Sequence, residues 1–243
     1  MRPFWRCLKI TRILFVCHGN ICRSPAAEFV LRNMAERAGL QDSFEIASAA
    51  TSSEELGNPV YPPMRRELES RGYSCAGKTA RRVRRNDYDY YDLIIGMDEE
   101  NRWDLSRLFH GDPEGKLHNL NEYLGLGNEE IADPWYTRRF AACLDEIEQA
   151  CEALFEELTG YVFLDFTSCA DIPALYAELR HKMEWESWYG ENLDALHDIL
   201  TGLPHRGRHF VLMLPDNDAP AEVRLYAERI RRVFHDYEED LSE

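Results

Sequence analysis

The sequence predicts an α/β protein in two parts, a parallel sheet flanked by helices followed by a small α/β domain. Three observations carry this expectation. Strand-like and helix-like runs alternate through the first 160 residues, the order produced when parallel strands are joined by crossover helices. The pattern reaches Gly160 and restarts at Tyr161 without a linker, which places the domains at residues 1–160 and 161–243. A chain of 243 residues that is 44% hydrophobic can fill two ordinary cores.

Strand signals in the first part are Ile13 to Val16, Phe44 to Ala47 and Leu93 to Met97, each a short run rich in apolar or β-branched residues. Helices are expected from Pro25 to Ala38, Pro63 to Arg71 and Glu99 to Phe109, the first two stopped by Gly39 and Gly72. A longer helix from about Thr137 repeats Phe140, Leu144, Ile147, Cys151, Leu154 and Leu158, the spacing of one buried stripe. In the second part YVFLDF and His209 to Leu214 read as strands. Ile172 to Lys182, Asn192 to Leu200 and Ala221 to Tyr237 read as helices.

Composition excludes several classes. The net charge of -16 opposes general nucleic-acid binding, because phosphate backbones must be met by clustered Lys and Arg. The basic run from Lys78 to Arg85 is expected to be a solvated face, with docking to an acidic partner as the alternative. No apolar stretch approaches the roughly 18 residues of a membrane span. Seven irregularly spaced cysteines suit a reducing, cytoplasmic compartment rather than a disulfide framework. The smaller part is the more acidic, with 8 basic against 17 acidic residues after Gly160 and 20 against 27 up to it.

The chemistry concentrates in CHGNICRSP, between the first strand and the first long helix. A loop that delivers a strand into a helix N-terminus turns successive N–H groups inward, and the helix end adds about half a positive charge. Cys17, His18, Gly19, Asn20, Ile21, Cys22, Arg23 and Ser24 can thereby cradle a phosphate dianion. Arg23 offers a planar fork for two phosphate oxygens, a geometry lysine lacks. The same field favours thiolate over thiol and makes Cys17 a nucleophile. Ser24 can hydrogen-bond that sulfur and ease its departure. Gly19 permits close backbone approach, and Asn20 tolerates a left-handed turn. Asp133, stiffened by Pro134, is the candidate to protonate a leaving oxygen and then to deprotonate the attacking water. Trp135 and Tyr136 can wall a slot for an aryl phosphate. An isolated Asp-Pro is a common turn, and this one gains weight from the loop.

These segments, ILFVCHGNICRSPAAE, SAATS with GNP, MDEENRWDL and ADPWY, resemble the low-molecular-weight protein tyrosine phosphatases from Thr11 to about Leu158. The resemblance implies a four-stranded parallel sheet and hydrolysis of phosphotyrosine in proteins through a phosphocysteine, without metal or cofactor. It makes Cys17 the nucleophile, Arg23 the phosphate clamp and Asp133 the general acid, with Asn20, Ser24 and Ser48 shaping the loop. It also gives Cys22 the redox role of trapping oxidised Cys17 as a reversible disulfide. Glu54, Lys78 and Tyr61 stand where the family often carries an aromatic residue, a histidine and an acid. Glu54 is expected to repel anionic flanks of a substrate. Relatives of this fold reduce arsenate or hydrolyse phosphoarginine, and both remain alternatives. Ile21 matches the phosphotyrosine enzymes rather than the phosphoarginine ones, and a lone Cys75 falls short of the cysteine set of the reductases.

In the second part WYGENLDALHDILTG places Asp194 and Asp198 one helical turn apart, with Glu191 preceding them. Such an acidic edge suits a basic partner. The segment resembles barstar, an intracellular ribonuclease inhibitor, from Tyr161 to about Tyr237. The resemblance makes Trp188, Gly190, Asp194, His197 and Asp198 partner-facing, with Asp236 as a further acid and a ribonuclease or other basic protein as partner. A binding protein with an ancillary phosphatase is therefore the competing reading.

Overall fold

The computed structural model describes residues 10–125, 130–183, 185, 190–202 and 208–241. The chain divides between Leu158 and Thr159 into two compact units.

The first unit is built on β1 (Thr11–Cys17), β2 (Phe44–Ala50), β3 (Leu93–Gly96) and β4 (Leu117–Asn119), all parallel in the order β2-β1-β3-β4. The interior strand β1 has Ile13, Leu14, Phe15 and Val16 at 0% exposure, as a strand covered on both faces requires. The order reverses direction between β1 and β3, so the carboxyl end of β1, where Cys17 stands, opens at a topological switch point, the usual ligand crevice of such sheets. Strand β2 runs three residues beyond its expected end because the parallel register continues to Cys17 against Ala50, which brings Ser48 into the sheet. The three-residue β4 is too short to show a strand period, and only the family resemblance foretold it.

Helices α1 (Arg23–Arg37), α2 (Pro62–Ser70), α3 (Asp87–Tyr90) and α4 (Glu99–Phe109) cross between these strands. The expected helix from Thr137 is interrupted. A one-turn α5 (Pro134–Thr137) ends where Arg138 takes a left-handed φ of 59°, and α6 (Phe140–Thr159) starts afresh. Its stripe of Leu144, Ile147, Cys151 and Leu154 is buried, but Leu158 is exposed and Phe155 takes its place in the core.

The basic run departs from a plain solvated face. Ala50 N–H donates to Arg81 O at 2.7 Å, and Val83 N–H donates to Ala50 O at 2.9 Å. The backbone of this segment thus satisfies the end of β2, while Arg82, Arg84 and Arg85 remain exposed.

The second unit pairs β5 (Tyr161–Asp165) in parallel with β6 (His209–Met213) and carries α7 (Ile172–Met183), α8 (Leu193–Thr201) and α9 (Ala221–Asp240). Its own core includes Leu164, Phe166, Leu175, Tyr176, Leu196 and Ile230. Among the described residues no helix is long and apolar enough to cross a membrane.

Candidate active site

Residues 17–24 wrap from the end of β1 into the first turn of α1, and a cavity of about 250 Å³ opens above them. The Cys17 sulfur lies 3.1 Å from Ser24 Oγ and accepts from the Asn20 N–H at 3.3 Å. Asn20 adopts a φ of 56°, the conformation its short amide side chain tolerates. At Gly19 a Cβ would come 3.2 Å from Glu55 Cγ, so a side chain there would press on the cavity edge. His18 is half-exposed, with Nε2 3.4 Å from Glu54 Oε2. Ile21 anchors the loop from behind by accepting from Tyr61 N–H at 2.8 Å.

A buried polar chain fixes the loop. Asn20 Nδ2 donates to Ser24 Oγ at 2.9 Å and to Ser48 Oγ at 2.7 Å, and Ser48 Oγ donates to Glu28 Oε2 at 2.5 Å. Glu28 also takes the Lys78 ammonium at 2.6 Å, and Lys78 reaches Ser48 O at 3.3 Å. Burial lowers the pKa of Lys78, with Glu28 opposing the shift. This largely buried pair closes the chain with an ionic contact, because neither charge could remain there alone.

Arg23 is 3% exposed and extends its fork along the cavity wall. Nη1 donates to Asp98 Oδ2 at 2.6 Å and to Ile131 O at 3.0 Å, while Nη2 donates to Asp133 Oδ2 at 2.6 Å. Burial lowers the guanidinium pKa, but Cys17, Asp133 and Asp98 outweigh it and raise the net value. Asp133 caps α5, its Oδ1 accepting from Trp135 N–H at 2.8 Å, so the Asp-Pro turn holds one carboxylate oxygen and aims the other at Arg23. Asp98 serves twice, capping α4 through Asn101 N–H at 2.7 Å while holding Arg23.

Trp135 and Tyr136 both line the cavity, as do Glu54, Glu55 and Glu100. The Tyr61 ring lies 5.1 Å from that of Trp135 and 5.7 Å from that of Phe140, and the Arg138 guanidinium lies over the Trp135 ring at 5.2 Å. Tyr61 therefore supplies an aromatic brace where an acid was to be expected. Cys22, within the loop, is buried and lines the cavity. Burial raises its thiol pKa, with the neighbouring Cys17 and Asp133 adding to the effect.

Sequence reasoning missed Asp98 and the Glu28–Lys78 pair. Asp98 reads as an ordinary helix cap, and the one available signal was its place at the carboxyl end of the strand beside β1. Glu28 lies at a buried position of α1, where an acid without a partner is improbable enough to have drawn notice.

In the second unit Asp194, His197 and Asp198 are exposed on α8, while Leu196, Ile199 and Leu200 of the same helix are buried. Asn192 caps α8 by accepting from Ala195 N–H at 2.9 Å, and a Cβ at Gly190 would meet Asn192 Nδ2 at 2.7 Å. Glu191 is not a free part of the acidic edge, since it pairs with Arg180 of α7. Asp236 is exposed on α9 beside His235 and Glu239. Trp188 lies outside the described residues.

Residues 12–162 match the family model of the low molecular weight phosphotyrosine protein phosphatases, and residues 159–243 match that of barstar, the barnase inhibitor. The low molecular weight protein-tyrosine-phosphatase YfkJ of Bacillus subtilis is 34% identical over 147 residues, covering 60% of this chain and 94% of that protein. The low molecular weight phosphotyrosine protein phosphatase 1 of Drosophila melanogaster is 34% identical over 152 residues, covering 61% and 97%. The crystal structure of YfkJ superimposes with a TM-score of 0.60 at 33% identity, over 62% of this chain and 95% of that one. A protein tyrosine phosphatase from Entamoeba histolytica, solved with Hepes in its active site, gives 0.57 at 32%, over 61% and 96%.

Proposed function

Because the chain belongs, through residues 12–162, to the low molecular weight phosphotyrosine protein phosphatases, we propose that residues 1–160 hydrolyse phosphotyrosine in proteins with Cys17 as nucleophile. The observation that carries this is the convergence of the Cys17 sulfur, the Arg23 fork and the Asp133 carboxylate on one cavity. A thiolate lone pair attacks phosphorus as the bond to the tyrosyl oxygen breaks, and Asp133 delivers the proton that oxygen needs. Water then attacks the phosphocysteine, the P–S bond breaks, and Asp133 takes the proton back. Arg23 exchanges its carboxylate partners for two phosphoryl oxygens and follows them through both transition states. Ser24 and the Asn20 N–H stabilise the sulfur both as attacking group and as leaving group. Cys22, in the same loop and lining the same cavity as Cys17, would capture its sulfenic acid as a disulfide with loss of water. A cytoplasmic setting suits the six described cysteines, all free and buried.

The rim adds selectivity. Glu54, Glu55 and Glu100 surround the entrance with three carboxylates, so a phosphotyrosine flanked by Lys or Arg should be preferred over one flanked by acids. Initial rates on peptides are the test. Phosphotyrosine should exceed phosphoserine and phosphoarginine by at least about tenfold, as expected for a slot walled by aromatic rings. Basic flanks should add roughly another tenfold at low salt and lose that advantage as screening increases. Faster release from phosphoarginine or phosphoserine would refute the assignment.

For residues 161–243, which carry the barstar match, we propose a module that captures a basic protein, a ribonuclease being the foremost candidate. The exposed Asp194, His197 and Asp198 over a buried Leu196, Ile199 and Leu200 support it, because the charged face of α8 can meet a partner without disturbing the core. Capture of a basic bacterial ribonuclease by the full chain should weaken at least about a hundredfold in Asp194→Ala with Asp198→Ala, the scale of losing two close charge pairs. Equal capture by the double variant would show that this face is not the contact.

A further inference from the structure

A second groove, of about 340 Å³, lies in the phosphatase unit and shares none of its lining residues with the catalytic cavity. Its buried lining is Thr51 and Val83, and three exposed arginines, Arg82, Arg85 and Arg107, stand around them. Two distant stretches of sequence create it. The basic run is drawn to the end of β2 by the Ala50 hydrogen bonds, and α4 presents Arg107 one turn beyond Asp104.

The groove carries an unmet demand. Thr51 is 9% exposed, and its hydroxyl is buried without a hydrogen-bond partner among the described residues. An unsatisfied buried hydroxyl costs free energy, and a turn about its χ1 would let it donate to an occupant of the groove that offers an acceptor. Arg82 is partly engaged, donating from Nε to Thr51 O at 3.2 Å, and Arg107 lies over the Trp103 ring at 4.5 Å, a stacking that leaves the edge of its fork free to bond. Among the described residues Asp104 is the one carboxylate lining the groove, so the three guanidiniums against it leave two positive charges.

We propose that this groove is a second anion site that binds a phosphate group through Arg82, Arg85, Arg107 and the Thr51 hydroxyl, apart from the loop at Cys17. A dianion with several oxygens matches the net charge and can occupy both a planar fork and a hydroxyl donor, whereas a single carboxylate balances only half of the charge. The group has two available sources, inorganic phosphate or a second phosphorylated side chain on the protein substrate. The proposal stands whether or not residue 17 is the nucleophile.

Titration of the full chain with inorganic phosphate, followed by NMR at the arginine Nε–H signals, tests it. The Arg85 and Arg107 signals should move and saturate with a midpoint of their own, separate from that of Arg23. The backbone amide of Thr51 is not a fair reporter, because it donates to Cys17 O at 2.9 Å and would respond to either site. Arg85→Glu with Arg107→Glu should weaken the second event at least tenfold while the Arg23 signal still titrates, which also shows that the variant is folded. Thr51→Val should weaken it about three- to tenfold and raise the melting temperature, since it removes an unmet hydroxyl. A peptide with two phosphotyrosines should show a lower KM than its singly phosphorylated form, lost in the Arg85→Glu, Arg107→Glu variant, if the substrate is the source. An unchanged KM beside intact phosphate binding identifies inorganic phosphate instead. Signals of Arg85 and Arg107 that stay still, or that move equally with acetate at the same ionic strength, would overturn the proposal, as would an unchanged second event in Thr51→Val and in the double variant.

Discussion

Cys17→Ser should lower kcat on an aryl phosphate by at least about 10⁴-fold while leaving the fold and the affinity for inorganic phosphate within a few-fold of the parent. The change replaces one atom at the end of β1 in a residue that is 3% exposed, so packing is nearly conserved. The donors around it, Ser24 Oγ and the Asn20 N–H, remain for an oxygen to use. What is lost is the sulfur nucleophile, since an alcohol oxygen in the same place is far harder to ionise than a thiol. On the proposed mechanism, phosphate binding would depend instead on the loop backbone and Arg23, which the substitution does not touch. Quenched-flow trapping with labelled substrate should show one phosphate on the parent enzyme and none on the variant. Retained turnover in Cys17→Ser would mean that water or another side chain attacks phosphorus, and the covalent mechanism would fall.

Asp133→Asn should cost about 10²–10⁴-fold in kcat, and the size of the loss should depend on the leaving group. The amide can still cap α5 by accepting from the Trp135 N–H, so the turn that presents residue 133 is kept. It cannot supply a proton to a tyrosyl oxygen or remove one from water. With phosphotyrosine the first step is crippled and no phosphocysteine accumulates. With p-nitrophenyl phosphate the departing phenolate needs little help, so the defect moves to the second step. A burst of nitrophenol close to one equivalent should then precede a slow steady state. Equal losses on both substrates without a burst would place the proton donor elsewhere, and Asp98, which shares Arg23 with Asp133, would be the first residue to examine.

These two experiments address residues of different legibility. Cys17, Arg23 and Ser24 lie within eight consecutive positions, and the strand before them and helix after them are each recognisable from their own periodicity. Such a loop is a local object. The strand-to-helix turn sets its course, and Ser48, Lys78 and Tyr61 from other segments hold it there. Asp133 was visible for a weaker reason, as a turn aspartate that only the company of the loop made chemical. Its pairing with Arg23 spans 110 residues and follows from no spacing.

Most of the remaining departures share one cause, that tertiary partners override local preference; the left-handed turn at Arg138 is a local one. Thr137 begins no long helix because Arg138 turns left-handed, and the basic run is tied to the sheet because the end of β2 needs hydrogen bonds. Glu191, read as part of an acidic edge, is neutralised by Arg180. Tyr61 became an aromatic brace because Trp135 and Phe140 were folded against it.

Periodicity and turn chemistry thus sufficed for most of the alternation of elements, the strand-to-helix loop at residues 17–24 and the exposed acids of α8, because each depends on residues within a few turns of one another. The Asp98 and Asp133 grip on Arg23, the Glu28–Lys78 closure and the arginine groove over Thr51 were decided only when distant segments met. Charges and hydroxyls gain their energetic meaning from burial and from the partner opposite, and neither is a property of a position along the chain.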